Sequence, residues 1–336
     1  MRRFRSQTLY TLAALTAGIA FLPAADEVPT LEQRLQALDQ EVKILKRKGE
    51  IAAEEAAAKA VTAKDAPKFT ANQKDGFSLS SADGAYKLRI GGTAQIEGVF
   101  YLNDEDVPQT NTFFVRRVRP SFEGTVAKYF DYQLVLDFSP ASPAAAVNTV
   151  LDANVTANID PALKIKAGRF KVPFGLEFLQ ADQYTAFIER GLPSQLSPQR
   201  DTGVQIGGDV LQGVLNYAVG IFNGPNDRAD NNADTVNDDD KEAAARLYAT
   251  PFKNTNLAAL QGLNIGIAAT YGYTKGTIAS TKPTYLSPGA NQFFAYGGAT
   301  LLHGDRVRFS PQLYYTLGSW DVLAEYITAK QEIRIA

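Results

Sequence analysis

The stretch Tyr86–Leu102, with the sequence YKLRIGGTAQIEGVFYL, decides the fold class of this chain. Alternate positions carry apolar or small side chains such as Leu88 and Ile90, and the positions between them include Lys87 and Arg89. This period-two alternation continues well beyond the usual strand of about five or six residues. The stretch therefore predicts a long β-strand with one apolar face and one polar face.

The same alternation recurs along the rest of the chain, so we expect about eleven strands. The later runs are 113–127, 130–139, 147–159, 163–170, 203–210, 214–222, 245–252, 263–274, 306–317 and 320–330. Tight turns alternate with long loops, and the long loops are 103–112, 140–146, 171–202, 223–244 and 275–305. This alternation is typical of a transmembrane β-barrel, whereas soluble sandwiches lack it and usually have shorter strands.

A membrane-spanning sheet also explains the modest hydropathy of the chain. In a bilayer every backbone donor and acceptor must be paired within the protein, so a spanning sheet closes on itself. Only one face of each strand must then be apolar, which agrees with a mean hydropathy of -0.18. We predict an all-β, antiparallel transmembrane β-barrel over residues 86–336. Because bacterial single-chain barrels have an even number of strands, the odd number and the ending at Ala336 predict an incomplete barrel.

Residues 1–25 have the build of a secretory signal peptide. Arg2, Arg3 and Arg5 precede an apolar stretch that ends in small residues before Asp26. A single membrane anchor is the alternative, but the apolar stretch is shorter than the roughly 20 residues that span a bilayer.

Residues 26–61 predict a short periplasmic coiled-coil helix, and the polar stretch 62–85 predicts a linker. The apolar seam residues are Leu31, Leu35, Leu38, Val42 and Leu45. Their spacing alternates between four and three residues, as at the a and d positions of a coiled coil, and indicates self-association. A single amphipathic helix lying on another surface is the alternative.

The apolar phase of each strand assigns the intervening charged residues to a water-filled lumen. The basic residues are Lys87, Arg89, Arg117, Arg119, Lys164, Lys166, Arg246, Arg306 and Arg308. The acidic residues are Glu97, Glu123, Asp131, Asp137 and Asp152. The excess of positive charge favours the entry of anions. If these charges instead pair across neighbouring strands, the wall is polar but has little selectivity.

The loop 171–202 is predicted to fold into the lumen. Its apolar side chains, which include Phe174, Phe178, Phe187 and Ile188, would be poorly placed on a solvated surface. Folded inward, the loop would bury them, narrow the pore and carry Arg190 towards the constriction. A folded lobe on the surface is the alternative.

Arg116 does not fit the alternation of its strand. In the stretch Asn111–Gly124, strict alternation turns Arg117 and Arg119 towards water and Arg116 towards the apolar face. Either Arg116 snorkels at the membrane edge, or a β-bulge turns it inward beside Arg117.

Neither a catalytic centre, a metal site nor a cofactor is predicted. The aspartates of residues 223–241 do not fit the spacing of an EF-hand loop, although calcium binding there stays open. His303 lies in a predicted loop without a nucleophile or metal ligand near it in sequence, and is expected on the surface. We expect no enzymatic activity and no nucleic-acid partner.

Five stretches carry a resemblance to a known family. In this order and spacing, KLRIGGTAQIEG, FFVRRVRPSFEG, LDANV, AGRFKVPFGLE and FIERGL resemble the phosphate-selective porin O and P family of outer-membrane channels. The resemblance implies a trimeric sixteen-stranded barrel, about five strands more than are visible here, with a constriction formed by an inward-folded loop.

The resemblance also implies roles for individual residues. The residues concerned are Arg116 and Arg117 on the anion path, Arg190 in the constriction loop, Arg246 on a later strand and Asp152 beside the binding site. It favours the bulge at Arg116. Phosphate-specific members have a lysine where this chain has Phe178 and an arginine where it has Thr93. These departures leave the preferred solute open among phosphate, pyrophosphate and other small anions.

The sequence as a whole predicts an outer-membrane porin that forms a passive, anion-preferring diffusion channel. Its expected partners are small anions, outer-membrane lipid and two further copies of itself in a homotrimer. A non-selective general porin is one alternative. The other is an envelope-tethering barrel protein that contacts the periplasm or cell wall through its coiled coil.

Overall fold

The structure is a computed structural model that describes residues 30–72, 76–102, 110–139, 150–224, 239–278, 280, 282–287 and 291–336. The predicted signal peptide and most of the acidic 223–241 loop lie outside the described residues. The chain divides into two compact units, Met1–Lys64 and Asp65–Ala336, which are described separately.

The first unit contains one long helix, α1, which spans Leu31–Asp65. A capping box begins it: the Thr30 backbone N–H donates to the Gln33 side chain, and the Gln33 backbone N–H donates to the Thr30 hydroxyl. The helix continues through Gly49 and ends four residues beyond the predicted boundary at residue 61. Its predicted seam residues are exposed, from 47 % at Val42 to 80 % at Leu31. None of the helices in the described part of the chain combines the length and apolar character needed to cross a membrane.

The second unit is dominated by antiparallel strands. They are β1 (Lys68–Asn72), β2 (Gly76–Ser80), β3 (Lys87–Val99), β4 (Thr112–Val126), β5 (Phe130–Leu136), β6 (Val150–Asp160), β7 (Leu163–Lys171), β8 (Arg200–Val210), β9 (Leu215–Phe222), β10 (Glu242–Ala249), β11 (Leu263–Lys275), β12 (Thr284–Leu286), β13 (Gln292–Ala295), β14 (Thr300–Leu317), β15 (Trp320–Glu325) and β16 (Thr328–Ile335). Short helical turns are α2 (Leu176–Leu179) and the 3₁₀ turns Asp182–Tyr184, Leu192–Leu196 and Ala258–Leu260.

One sheet contains fourteen of these strands. Each strand from β1 to β10 pairs with the next strand in sequence. β11 pairs with β14, and β14 pairs with both β15 and β16. Within the described residues, β1 and the β15–β16 strand are the edges of this sheet, so it is open. The antiparallel all-β architecture predicted from the sequence is confirmed.

Two predicted connections contain regular secondary structure instead. The predicted linker 62–85 contains the end of α1 and the β1–β2 hairpin. The predicted loop 275–305 contains the separate β12–β13 hairpin and the first residues of β14. His303 consequently lies in a strand rather than a loop, with its ring 6.1 Å from the ring of Tyr273. Short polar strands lack a long alternating pattern, which is why periodicity missed them.

β15 and β16 are two parts of one interrupted strand. The pairs Gln312↔Glu325 and Phe309↔Thr328 keep the same register on β14. Pro311 lies in the gap, where its carbonyl accepts a hydrogen bond from the Tyr326 N–H at 3.3 Å. Because proline has no N–H to donate in return, the ladder is broken there.

The two faces of the sheet differ in chemistry. On β14, Val307 and Phe309 are exposed on one face, whereas Arg308 and Ser310 are fully buried on the other. The second face is the one on which the residues 172–199 pack, and we call it the inner face. An apolar core lies there, formed chiefly by Phe170, Val172, Phe174, Phe222 and Leu196.

Candidate functional site

The residues 172–199, which connect β7 to β8, form the centre of the site, and we call them the crossing segment. Val172, Phe174 and Phe178 are buried at 0–3 % exposure. Phe187 and Ile188 are 76 % and 73 % exposed, so the expectation that an inward fold would bury them was wrong. They lie near the tip of the segment, away from the apolar core.

Hydrogen bonds attach the start of the crossing segment to the last strands of the sheet. The Gln312 side-chain amide donates to the Phe174 carbonyl at 2.5 Å. The Glu325 carboxylate accepts from the backbone N–H of Leu176 at 2.6 Å and of Glu177 at 3.2 Å. Two strands far from β7 in sequence therefore hold this end of the segment.

A β-bulge on β4 turns Arg116 towards the crossing segment. Gln95 of β3 pairs with Arg117, but the next residue, Ile96, pairs with Val115, so Arg116 is the extra residue. Its guanidinium donates to the Glu189 carboxylate at 2.6 and 3.1 Å. Of the two orientations left open by the sequence, the structure has the bulge.

Arg117 and Arg116 share Glu189 as a partner. The Arg117 guanidinium lies 3.2 Å from the Glu189 carboxylate and 3.8 Å from that of Asp182. It also donates to Gln95 at 2.5 Å, and both arginines lie 4.0 Å from Glu97. Two adjacent cations of β4 thus hold the tip of the crossing segment.

A second group of ion pairs centres on Asp182. This carboxylate contacts Arg119 of β4 and lies 2.7 Å from Arg190, which belongs to the crossing segment itself. Arg119 also donates to Asp137, the residue directly after β5, at 2.7 Å. Bidentate and shared arginine–carboxylate bonds are among the stronger polar contacts in proteins.

We call these eight residues the arginine clamp. They are Arg116, Arg117, Arg119 and Arg190 with Glu97, Asp137, Asp182 and Glu189. Four cations face four carboxylates, so the fully ionised clamp is neutral. Four of the arginines predicted to line an anion path therefore form ion pairs that hold the crossing segment. They are Arg116, Arg117, Arg119 and Arg190.

The clamp lowers the pKa of two carboxyl groups of the crossing segment, those of Asp182 and Glu189. Burial acts to raise the pKa of Asp182, but the charges of Arg119, Arg190 and Arg117 outweigh it and hold the pKa well below its ordinary value. Glu189 behaves alike, because hydrogen bonds and charge from Arg116 and Arg117 lower its pKa against the effect of burial. Both groups are thus ionised partners at neutral pH.

Three cations converge on the ring of Phe178. The Lys171 ammonium lies 5.1 Å from the ring centroid, and the guanidinium carbons of Arg190 and Arg200 lie at 5.0 and 5.8 Å. Cations within about 6 Å of an aromatic ring are attracted by its negative face. Arg200 pairs with Asp152 at 3.1 Å.

Lys171 differs from the two arginines because its nearest acceptors are neutral. Its ammonium donates to the carbonyls of Phe178 and Gln180, both at 2.8 Å. Among the described residues, no carboxylate lies within 4.0 Å of it. Sequence reasoning missed Lys171 and Arg200, because both lie at strand ends that the periodicity placed inside the loop 171–202.

A polar cavity of about 310 Å³ lies beside these cations. Its lining includes Thr93, Arg119, Asp152, Lys171, Gln183 and Arg200. Thr93 faces Arg119 across the β3–β4 ladder, so a cation stands next to the first of the two departures from the phosphate-specific pattern. Lys171 stands next to the second, at Phe178.

The remaining predicted basic residues have different surroundings. Arg306 and Arg308 lie on the inner face of β14, as the alternation predicted, but they are 4 % and 0 % exposed and share Glu242, so they do not face open water. Burial of two arginines on one carboxylate is possible because the Gly224 carbonyl and the Thr270 hydroxyl accept further bonds.

The other lumen assignments are divided between pairs and uncompensated cations. Arg89 pairs with Glu123, and Lys164 pairs with Asp209 at 3.3 Å. Lys166 lies 4.7 Å from the centre of the Phe170 ring. Arg246 donates to Gln312 at 3.0 Å and stacks on Tyr248 at 4.3 Å. Lys87 is exposed and borders a second polar cavity with Asp131.

A family model described as phosphate-selective porin O and P matches residues 88–332, from β3 into β16. The chain belongs to the phosphate-selective porin O and P family. Membership of this family supports an outer-membrane porin channel. A comparison with curated proteins gave no match.

Proposed function

We propose that this porin is a passive outer-membrane channel with a preference for small anions, narrowed by the crossing segment. The observation that carries the proposal is Lys171, a cation at the polar cavity whose side chain donates to neutral carbonyls. The arginine clamp beside it pairs four cations with four carboxylates, so when fully ionised it adds shape without net charge. Positive potential at the cavity then comes from cations outside the clamp, among them Lys171.

Lys166 supports the same preference from a position five residues earlier on β7. Its ammonium lies over the Phe170 ring, and no described carboxylate is within ion-pair distance. Lys166 borders the second polar cavity and Lys171 the first, so the two lysines place positive charge at two points along β7. A passing anion would exchange part of its hydration for these ammonium groups without a tight, fully enclosing site.

The preferred solute is proposed as a class rather than one ion. The cavity offers hydroxyl, amide and ammonium donors, which suit phosphate, pyrophosphate and other small oxyanions. Asp152 and Asp182 also line it, and their negative charge limits the affinity for multiply charged anions. A weakly selective channel therefore fits the lining better than a tight phosphate trap.

The reversal potential across a planar bilayer in a potassium chloride gradient tests this function. We expect anion selectivity in the full-length protein, and a smaller chloride-to-potassium permeability ratio in Lys171→Met. Two unit charges 4 Å apart interact by about 1 kcal/mol even in water, so the ratio should fall at least about fivefold. Lys164→Met is the matched control, because it removes the same charge beside the β6–β7 turn.

Each outcome of that measurement has a defined meaning. Cation selectivity of the unaltered channel would overturn the anion preference. Equal ratios for Lys171→Met and the unaltered protein would show that Lys171 does not set the preference. A chloride-to-potassium ratio near one in the unaltered protein would support the general porin. A protein that inserts but conducts no ions, and binds isolated cell wall, would support the tethering alternative. Chloride current measured with increasing phosphate then tests whether oxyanions compete.

We also propose that the protein assembles as a homotrimer in the outer membrane, with α1 in the periplasm taking part in self-association. The exposed apolar seam of α1 supports this association, because five large side chains otherwise face water. Crosslinking of the intact protein in outer-membrane vesicles should give a trimer as the largest species. A monomer that conducts normally would refute the trimer without affecting the channel.

A further inference from the structure

The face of α1 that carries the apolar seam is an exposed surface that another helix could bind. Leu35, Leu38 and Leu45 are 60–65 % exposed, and Val42 is 47 % exposed. With Leu35 and Val42 at the a positions, Leu38 and Leu45 fall at d. Residues at the flanking e and g positions then decide which helices can join this seam and in which direction.

We propose that α1 binds the α1 helices of further copies of this chain in a parallel, in-register coiled coil. The inference deepens the self-association proposed above by assigning its direction and register. It does not depend on the ion preference of the channel.

The flanking charges match in this arrangement. In a parallel coiled coil, a g residue of one helix meets the e residue five positions later in its neighbour. Arg34 at g then meets Asp39 at e, and Glu41 at g meets Lys46 at e. Both pairs join opposite charges, and each occurs again on the other side of the interface. Asp39 also pairs with Lys43 of its own helix, but that pair is exposed and weak.

The antiparallel register that best overlaps the leucines brings like charges together. It would pair Leu35 with Leu45 and Leu38 with Val42. In antiparallel coiled coils g residues meet g residues and e residues meet e residues. Glu41 would then oppose Glu41 of the second copy, Asp39 would oppose Asp39, and Arg34 would oppose Lys48. Of the flanking pairs in this register, Glu32 with Lys46 joins opposite charges.

Shifting the antiparallel helices by one heptad does not solve the conflict. One shift matches the charges but packs Leu38 against Gly49 and Leu35 against Ala52, which removes most of the large apolar contacts. The opposite shift opposes Glu32 to Asp39 and leaves Leu45 beyond the start of the partner helix at Leu31. Only the parallel, in-register arrangement satisfies the seam and the flanking charges together.

Cysteine crosslinking in the full-length protein tests the arrangement, because the chain has no native cysteine. In a parallel, in-register coiled coil, Leu35 and Leu45 each lie beside the same residue of the next copy. A disulfide needs Cα atoms about 4.4–6.8 Å apart, so Leu35→Cys and Leu45→Cys should each crosslink to themselves. Gln40→Cys, on the outer side of the helix, is the control and should not.

Other crosslinking results overturn the proposal. An antiparallel pair would crosslink mainly in mixtures of Leu35→Cys chains with Leu45→Cys chains. Absence of crosslinks in every sample would show that α1 does not associate with itself. Single-channel conductance is recorded on the same preparations, so a lost coiled coil with normal ion selectivity separates this failure from failure of the proposed function.

A charge exchange tests the role of the flanking pairs independently of the seam. In the Leu45→Cys background, Glu41→Lys opposes two cations at each flanking pair and should slow crosslinking about fivefold. Adding Lys46→Glu restores opposite charges and should restore the original rate. If Glu41→Lys has no effect, or the second change does not rescue it, the parallel g-to-e contacts are refuted.

Discussion

Replacing Asp182 by asparagine should loosen the crossing segment while leaving the sheet folded. The substitution keeps the size of the side chain but removes the carboxylate that pairs with Arg119, Arg190 and Arg117. These four side chains are only 6–16 % exposed, so solvent screens their charges weakly. The three guanidinium groups would then lie close together with less negative charge between them.

The expected increase in local opening follows from the burial of these side chains and from the number of ion pairs lost. Each pair has a gross attraction of about 4 kcal/mol at 4 Å and an effective dielectric constant near 20, offset by the loss of hydration. Removing one partner of a buried ion pair typically costs about 3–5 kcal/mol. Contacts of Gln312 and Glu325 with the start of the segment are untouched. Local opening of the part around Arg190 should therefore become about 100-fold or more frequent.

Limited trypsin digestion after Arg190 measures that opening in folded protein in detergent micelles. When local closing is fast, the cleavage rate follows the population of the open form. We expect cleavage of Asp182→Asn to be about 100-fold faster, accompanied by larger fluctuations of the single-channel current. Asp209→Asn is the matched control, because its pair with Lys164 is about 40 % exposed and worth at most about 1 kcal/mol.

If Asp182→Asn and Asp209→Asn are cleaved at rates within threefold of the unaltered protein, the clamp does not hold the segment. Global unfolding is monitored by the heat-dependent shift in gel mobility, so a general loss of the sheet is not mistaken for local opening.

Three further predictions follow from the same geometry. Arg117→Glu should raise current noise more than it shifts the reversal potential, because it places a carboxylate beside Glu189; a large shift with quiet channels would contradict the clamp. Gly124→Ala should lower the yield of heat-modifiable folded protein, since a Cβ there would lie 1.8 Å from a backbone carbonyl, whereas Gly91→Ala meets only a hydroxyl at 3.1 Å. Channel noise should not change between pH 7 and about 4.5, because the arginines lower the pKa of Asp182. The ion pairs of this carboxylate stabilise the closed segment fully above its ordinary pKa of 3.8. That stabilisation is lost only as the pH falls through the lowered pKa of the folded protein. Noise that rises already at pH 5 would contradict this assignment.

Much of the fold could be predicted because alternation depends only on neighbours along the chain. The run from Tyr86 to Leu102 and its repeats predicted the long strands, and tight turns predicted their antiparallel order. The β1–β2 hairpin was missed because five-residue strands are too short to show a period. The break at Pro311 was missed because its effect depends on which strand is opposite.

The site was predicted only in part, because pairing across the sheet is invisible in sequence order. Arg116, Arg117, Arg119 and Arg190 were recognised as one group, but their carboxylate partners come from distant positions. Asp182 and Arg119, for example, are 63 residues apart. The sequence count of lumen charges also included Arg306 and Arg308, which are buried and share Glu242 as an ion-pair partner.

The sequence by itself determined the alternating strands, the porin family and the seam of α1, since each is written in local periods or motifs. Only the tertiary structure decided that Arg116 turns inward at a bulge and that the clamp arginines are paired. It alone placed Lys171 beside the cavity with neutral carbonyls as its nearest acceptors. The physical reason is that charge acts through space, so the effect of a cation depends on the carboxylates that folding brings within a few ångströms.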